Sequence, residues 1–191
     1  MRNINDNKNT KELITLALYK PQIPPNTGNI SRLCVGVNVP LLIVGKPAFS
    51  LDEASLKRAG LDHWPLLKFN YYDKYKNFIK DYEKNRLVMI TKEGKEILWD
   101  FEFNKGDVLI LGNETKGLPP KMIKLAHKTV KIPMTKNIRS LNLSNAAAVC
   151  VYESLRQFSK SDPTVGLLEE MQNNQHQRTY YKKSANFTQS E

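Results

Sequence analysis

The chain has 191 residues, of which 40% are hydrophobic and 25% are charged. This length suffices for one good hydrophobic core and is short for two full-sized domains, so we expect one domain with tails. The polar N-terminus does not resemble a signal peptide, and no apolar run approaches the roughly 20 residues of a membrane helix. Cys34 and Cys150 lie in separate apolar segments, which disfavours disulfide architecture and favours a reducing compartment. We therefore expect a soluble, cytoplasmic protein.

The formal net charge is +10. Residues 13–158 carry 22 basic and 13 acidic side chains, a net charge of +9, so the excess belongs to the main body of the chain. Such a field favours a polyanionic partner through steering and counterion release, although surplus lysine also serves solubility. Charge alone therefore favours a nucleic-acid partner without establishing one.

Apolar strands and amphipathic helices alternate through the first half of the chain. Ile14–Leu18 is a short apolar run that predicts a strand. A proline turn at Pro24 and Pro25 then opens a helix that has an apolar face. Leu41–Val44 predicts a buried strand, and helices are expected at 52–59 and 73–83.

The second half continues the alternation. Residues 87–91 and 108–112 are continuous apolar runs, the form expected for buried strands of a parallel sheet. Pro119 or Pro120 opens a helix through His127, a strand is expected at 130–132, and a long apolar helix at 143–158. The pattern predicts an α/β fold with a parallel sheet. From Ser159 the chain is polar and without period, so we expect a mostly flexible tail.

Several kinds of catalytic site find little support. His63, His127 and His176 are scattered and do not have zinc-site spacing, and the chain contains no G-x-S-x-G turn. We interpret His63 as a packed loop residue. The tyrosines at 71, 72, 75 and 82 could stack on bases, but three of them fit the inner face of a helix, which favours core packing.

Two polar loops stand out. Residues 112–117 follow a strand and precede a helix with the glycine spacing of a phosphate-binding loop, yet Leu118 and Pro119 stand where that motif needs lysine and a hydroxyl residue. An ordinary strand-to-helix turn remains an alternative there. Residues 132–145 place several small polar side chains before the last helix, which either cap that helix or surround a polar ligand.

Three segments occur together and in order: Asn26-Thr27-Gly28-Asn29-Ile30-Ser31-Arg32, then residues 111–119, then residues 132–146. Together they resemble the three motifs of the SpoU/TrmH branch of the SPOUT RNA methyltransferases. Within that branch, residues 18–29 and 58–62 resemble the small tRNA (cytidine/uridine-34)-2′-O-methyltransferases of the TrmL group. The resemblance covers roughly residues 13–158.

The resemblance implies a parallel sheet with helices on both faces and a deep C-terminal trefoil knot, which periodicity would never predict. It implies a methyltransferase domain at 13–158, between a polar extension at 1–12 and the polar tail at 159–191. It also implies a homodimer that uses S-adenosylmethionine, without a metal, to methylate the ribose 2′-OH of the wobble nucleotide of tRNA.

The same resemblance assigns residues to roles by motif position. The cofactor pocket would be lined by Ile90, Gly112, Ile132, Ser140 and Leu141. The catalytic constellation would comprise Asn26, Arg32, Glu114, Ser140 and Asn142. We expect Gly112 to let the backbone approach the cofactor, so that a larger side chain would occupy the cofactor's space, and Asn113 to act mainly through its backbone.

The arginine of this family is often described as the general base, but a guanidinium is too weak an acid for that role to be easy. We expect Arg32 instead to bind a substrate phosphate and stabilise charge on the 2′-oxygen. Three other functions stay open: methylation of another tRNA or rRNA position, RNA binding without catalysis on the same fold, and nucleotide hydrolysis, which the missing loop lysine disfavours.

Overall fold

The computed structural model describes residues 2–3, 12–51 and 63–161. The helix expected at 52–59 and nearly all of the expected tail lie outside these residues. The chain divides into two compact units, Met1–Gln157 and Phe158–Glu191. In the part of the chain that is described, no helix is long and apolar enough to cross a membrane.

One sheet dominates the first unit, and all of its paired strands run parallel. The described residues contribute eight strands to it: β1 Arg2–Asn3, β2 Ile14–Tyr19, β3 Leu41–Val44, β4 Lys68–Tyr72, β5 Leu87–Ile90, β6 Glu96–Ile97, β7 Asp107–Leu111 and β8 Lys128–Lys131. Their order across the sheet is β1-β4-β3-β2-β7-β5-β8-β6. The predicted parallel α/β fold is confirmed.

The central strands are buried along their whole length, as every residue of β2, β3 and β7 shows. One face contributes Ala17, Leu42 and Ile110 to a cluster with Phe78 and Met122 of the covering helices. Alternate residues pointing to the other face are equally inaccessible, so both faces of the sheet are covered.

Four helices are described besides a short 3-10 turn at Trp64–Leu66: α1 Pro24–Gly36, α2 Tyr75–Asp81, α3 Pro120–Ile123 and α4 Leu143–Ser161. Proline occupies the first turn of α1 and of α3, where its missing N–H costs no helical hydrogen bond. Helix α1 ends at Gly36, and Asn38 then takes a left-handed conformation with φ +54°. This turn returns the chain to β3.

The short strands β1, β4 and β6 were not predicted. In β4, burial varies along the strand, so its residues form neither an unbroken apolar run nor a strict alternation. The helix expected through His127 ends at Ile123, because the His127 N–H donates to the Leu87 carbonyl (2.9 Å) and draws the chain into the sheet. Consequently β8 starts two residues before the predicted strand at 130–132 and ends one residue before it ends.

Three of the four tyrosines pack as expected. Tyr72 is buried in the core cluster, and Tyr75 and Tyr82 lie partly buried against it. Tyr71 points outward with 38% exposure. Tyr71 and Tyr72 belong to β4 and Tyr75 to α2, while Tyr82 lies just past the end of α2. The helix predicted at 73–83 was therefore too long at both ends.

Candidate functional site

A cavity of about 720 Å³ lies at the carboxyl ends of β5, β7 and β8. The register sets Ile90 beside Leu111 on one side and beside Val130 on the other, so the last residues of these strands meet at one level. Apolar side chains at the strand ends therefore form its floor, and polar loops form its rim. Eight of the nine predicted site residues line it: Asn26, Ile90, Gly112, Glu114, Ile132, Ser140, Leu141 and Asn142.

The loop that follows β7 folds back on itself. The side-chain oxygen of Asn113 accepts the backbone N–H groups of Thr115 (3.1 Å) and Lys116 (2.7 Å), and its carbonyl accepts that of Gly117 (3.0 Å). Gly117 takes a φ of +65°, which glycine adopts without strain. Asn113 thus organises the turn through its side chain as well as its backbone, which corrects the expectation of a mainly backbone role.

Gly112 has a tighter constraint than expected. A Cβ at this position would lie 2.1 Å from the carbonyl carbon of Gly117 and 2.3 Å from the nitrogen of Leu118. These are backbone atoms of the same loop and cannot move aside cheaply. The space that a side chain at 112 would first invade therefore belongs to the returning loop, and Gly112 is needed to close that loop beside the cavity.

Glu114 ties this loop to the start of α1. Its carboxylate accepts the backbone N–H groups of Gln22 (2.9 Å) and Ile23 (3.0 Å) and the side-chain amide of Asn26 (3.0 Å). Burial alone would raise the pKa of this carboxyl, but the hydrogen bonds from Asn26 and the two backbone amides lower it on balance below its ordinary value. A carboxylate at a helix N-terminus is also favoured by the helix dipole. Glu114 therefore acts as a clamp: its carboxylate holds the loop after β7 against the start of α1.

Asn26 connects that clamp to the third motif. While it donates to Glu114, its own carbonyl oxygen accepts the side-chain amide of Asn142 (2.9 Å). The Asn142 side-chain oxygen in turn accepts the backbone N–H (2.9 Å) and the hydroxyl (2.7 Å) of Ser144, so Asn142 caps α4. One hydrogen-bonded chain therefore joins all three motifs, and Asn26, 95% buried, lies at its centre.

Sequence reasoning did not single out Arg139, Lys92 or Lys116, which also line the cavity. Arg139 and Ser140 are exposed side chains of the third loop. Lys92 lies 3.5 Å from Glu93, whose pKa is lowered first by a hydrogen bond from Thr91. The signal available in the sequence was a lysine or arginine in each of the loops that follow β5, β7 and β8.

Arg32 lies apart from these residues. Six residues separate it from Asn26 along α1, a rise of about 9 Å and a rotation of about 240°. Its side chain is exposed, and it is not among the residues that line the cavity. The structure of one chain thus brings together every predicted site residue except Arg32, whose catalytic role stays a prediction.

Ser31 and His63 form a serine–histidine contact, with Oγ and Nε2 2.8 Å apart. Ser31 is completely buried and its hydroxyl donates to the Gly28 carbonyl (2.7 Å), so it is not a nucleophile presented to substrate. His63 is a packed loop residue, as predicted. Among the residues that can be described, no group of His, Cys, Asp and Glu could hold a metal ion.

A sequence profile of the SpoU rRNA methylase family matches residues 13–152. The Escherichia coli (strain K12) protein named tRNA (cytidine(34)-2′-O)-methyltransferase is 38% identical over 148 residues, which cover 76% of this chain and 94% of that protein. A Listeria monocytogenes protein, provisionally given the same name, is 44% identical over 146 residues, covering 74% of this chain and 86% of its own.

Solved structures agree. One, described as giving structural insights into the 2-OH methylation of C/U34 on tRNA, has a TM-score of 0.73 and 35% identity, and covers 78% of this chain and 99% of its own. The SpoU methyltransferase AviRb from Streptomyces viridochromogenes, in complex with the cofactor AdoMet, has a TM-score of 0.68 and 28% identity. The match covers 78% of this chain and 58% of the AviRb chain.

Proposed function

The chain belongs to the SpoU methylase family, and from that premise we propose that it transfers a methyl group from S-adenosylmethionine to the ribose 2′-OH of the nucleotide at position 34 of tRNA. The observation that carries this proposal is the hydrogen-bonded chain from Glu114 through Asn26 to Asn142, which joins the three motifs around one cavity. The names of the relatives that cover three quarters of the chain support the choice of substrate.

The cavity fits a cofactor of this kind. Its volume of about 720 Å³ lies within the range of small-molecule sites, and such sites combine apolar walls with a few polar groups. Ile90, Ile132 and Leu141 would hold the adenine, and the backbone of the 112–118 loop would bind its polar edges. Bound S-adenosylmethionine supplies an electrophilic methyl group on a sulfonium.

Methyl transfer needs the acceptor oxygen in line with the methyl carbon, so positioning supplies much of the acceleration. Both Glu114 oxygens already accept hydrogen bonds, and these bonds lower its pKa below the ordinary value, which disfavours a role as proton acceptor. We assign Glu114, Asn26 and Asn142 to holding the loops in place. Ser140 and Arg139, exposed at the rim, are placed to contact the ribose and its phosphates.

Homodimer formation would bring a second copy of Arg32 into the vicinity of the cavity. Support comes from exposed apolar side chains: Val149 (40% exposed) and Tyr152 (58%) on α4, and Ile23 (45%), which precedes α1 and lines the cavity. We also propose the trefoil knot and a cytoplasmic location, both on family membership alone, and a domain that ends near Phe158.

The test is methylation of purified tRNA by the purified protein with S-adenosylmethionine labelled on the methyl group. We expect one label per tRNA, on the ribose of nucleotide 34. A matched tRNA with a 2′-deoxyribose at position 34 should accept none. Label that persists in the deoxy tRNA would indicate another position, and tRNA binding without any transfer would indicate a non-catalytic RNA-binding protein.

A further inference from the structure

A row of exposed lysines follows the carboxyl ends of β2, β3 and β4, which lie on the opposite side of β7 from β5 and β8. The register sets Tyr19, Val44 and Tyr72 level with one another at the carboxyl ends of β2, β3 and β4. Two further hydrogen bonds extend this level, from Lys20 N–H to the Val44 carbonyl (3.0 Å) and from Gly45 N–H to the Tyr72 carbonyl (2.7 Å). The next residues include Lys20, Lys46 and Lys74, all exposed.

The spacing of this row follows from the sheet. Neighbouring strands lie about 4.8 Å apart, so the ends of β2, β3 and β4, which the lysines follow, span about 10 Å. The row is continuous with the cavity, because β2 also pairs with β7 and sets Leu18 beside Leu111, the residue before Gly112. The first lysine of the row, Lys20, therefore follows the strand next to the one that leads into the cavity.

The backbone at the row is built for close approach of the lysine stems. Lys20 takes a left-handed conformation with φ +49°, which is uncommon for a residue with a side chain. Gly45, with φ +81°, leaves the room that this stem fills: a Cβ at Gly45 would lie 2.7 Å from Lys20 Cγ and 2.9 Å from Cε. The aliphatic part of Lys20 thus lies across the end of β3, beside Lys46.

The three lysines add positive charge at this edge of the sheet, and the Lys20 ammonium lies 5.8 Å from the centre of the Tyr19 ring. None of the three forms an ion pair with the residues that can be described. Among the described residues that directly follow these three strands, Asp73 is the one carboxylate, and it accepts a hydrogen bond from Tyr71 (3.2 Å). Together with the three lysines it gives a net charge of +2. Like charges held together repel each other unless an anion lies between them.

We propose that Lys20, Lys46 and Lys74, which we call the lysine row, bind the phosphates of the RNA strand that flanks the target nucleotide. The inference rests on the proposed function and adds to it the path of the substrate strand. Phosphate contacts of this kind fix register and orientation and carry no sequence information. The lysine row therefore positions the RNA strand, and the loops of the cavity act on the ribose.

The test compares K46Q/K74Q with a matched control, K80Q/K84Q. Both variants remove two charges, but the control lysines lie at the end of α2 and before β5, away from the carboxyl edge of the sheet. The affinity for tRNA is measured at several salt concentrations, together with turnover at saturating tRNA, S-adenosylmethionine affinity and thermal stability. Adding K20Q gives a third step in the series.

Two lost phosphate contacts should reduce the slope of log affinity against log salt by about 1.4 for a single strand. If the electrostatic contribution vanishes near 1 M salt, the loss in affinity is about 25-fold at about 0.1 M. Cofactor affinity and thermal stability should stay unchanged, because the lysine row lies outside the cavity, and the control should keep the wild-type slope.

An unchanged slope in K46Q/K74Q would overturn the proposal, and so would an equal loss in both variants, which would mean that only net charge matters. Absence of tRNA binding by the unaltered protein would instead overturn the proposed function, and the lysine row with it.

Discussion

Substitution of Glu114 by glutamine tests whether the clamp holds the site together. Glutamine has nearly the same shape but one acceptor oxygen, which can keep the bonds from Ile23 and Asn26, while its NH₂ group would face the donor N–H of Gln22. Hydrogen bonds to a charged group contribute about 1.5–3 kcal/mol each, and these lie near the surface, so the lower end applies. We expect E114Q to lower the free energy of unfolding by about 2 kcal/mol, and E114A by about 3 kcal/mol.

The pH dependence has a definite sign. Because the folded state lowers the pKa of Glu114 below the ordinary value of 4.5, its carboxylate contributes full stability above that value and loses its contribution as the pH falls through the lowered pKa. The stability difference between the unaltered protein and E114Q should therefore be constant near neutral pH. It should narrow below about pH 4.5 as the carboxyl of the unaltered protein takes up a proton.

Urea unfolding at several pH values measures this difference, and calorimetry measures S-adenosylmethionine affinity alongside it. Loosening of the 112–118 loop should weaken cofactor binding about tenfold, equivalent to about 1.4 kcal/mol. E93Q is the matched control, because Glu93 also lines the cavity but is largely exposed, and we expect a change below about 0.5 kcal/mol. If E114Q is as stable as E93Q and binds the cofactor with unchanged affinity, Glu114 does not hold the loop in place.

Three further outcomes follow from the structure. G112A should weaken or abolish cofactor binding while G36A, at a position with open space, does not; equal affinities would show that the loop tolerates a side chain. R86M should lower the free energy of unfolding by about 3 kcal/mol, because the nearly buried Asp107 carboxylate loses both bonds from Arg86 (2.8 and 2.7 Å); a loss below 1 kcal/mol in urea unfolding would contradict this. R32A should keep the fold and cofactor affinity but lose methyl transfer by about 10²-fold or more, with R32K also poor; near-normal single-turnover rates would end the proposed role of Arg32.

The sequence predicted the central strands well because burial on both faces leaves an unbroken apolar run, as in Leu41–Val44, whose bounds the structure reproduces. Edge strands leave weaker traces. Glu96–Ile97 has two residues and no apolar period, and Lys68–Tyr72 mixes polar and aromatic residues. The early end of α3 depends on a hydrogen bond between His127 and Leu87, and no local pattern encodes a contact across 40 residues.

The site was predicted by motif resemblance more than by physical pattern. Eight of the residues that it grouped line one cavity in the structure, but the resemblance gave none of their hydrogen-bond partners. It did not indicate that Glu114 would be occupied at both oxygens, or that the Asn113 side chain would hold the turn. The Glu114 bonds join residues about 90 positions apart and depend on how distant strands are arranged, which one sequence does not specify. The Asn113 bonds are local, and an asparagine that begins a turn was the signal for them. For Arg32, helical geometry could have indicated the disagreement, since a separation of six residues turns a side chain away.

The bond between Asn26 and Asn142 joins residues 116 positions apart, and the bond between Asn26 and Glu114 spans 88. Closing loops of that length carries an entropic cost before any contact offsets it, and β2 meets a similar cost when it pairs with β7 across 93 residues. The site is therefore complete only in a chain whose central sheet has formed. A ligand that binds only the finished cavity therefore selects molecules that have completed folding, and an excess of it stabilises them by mass action.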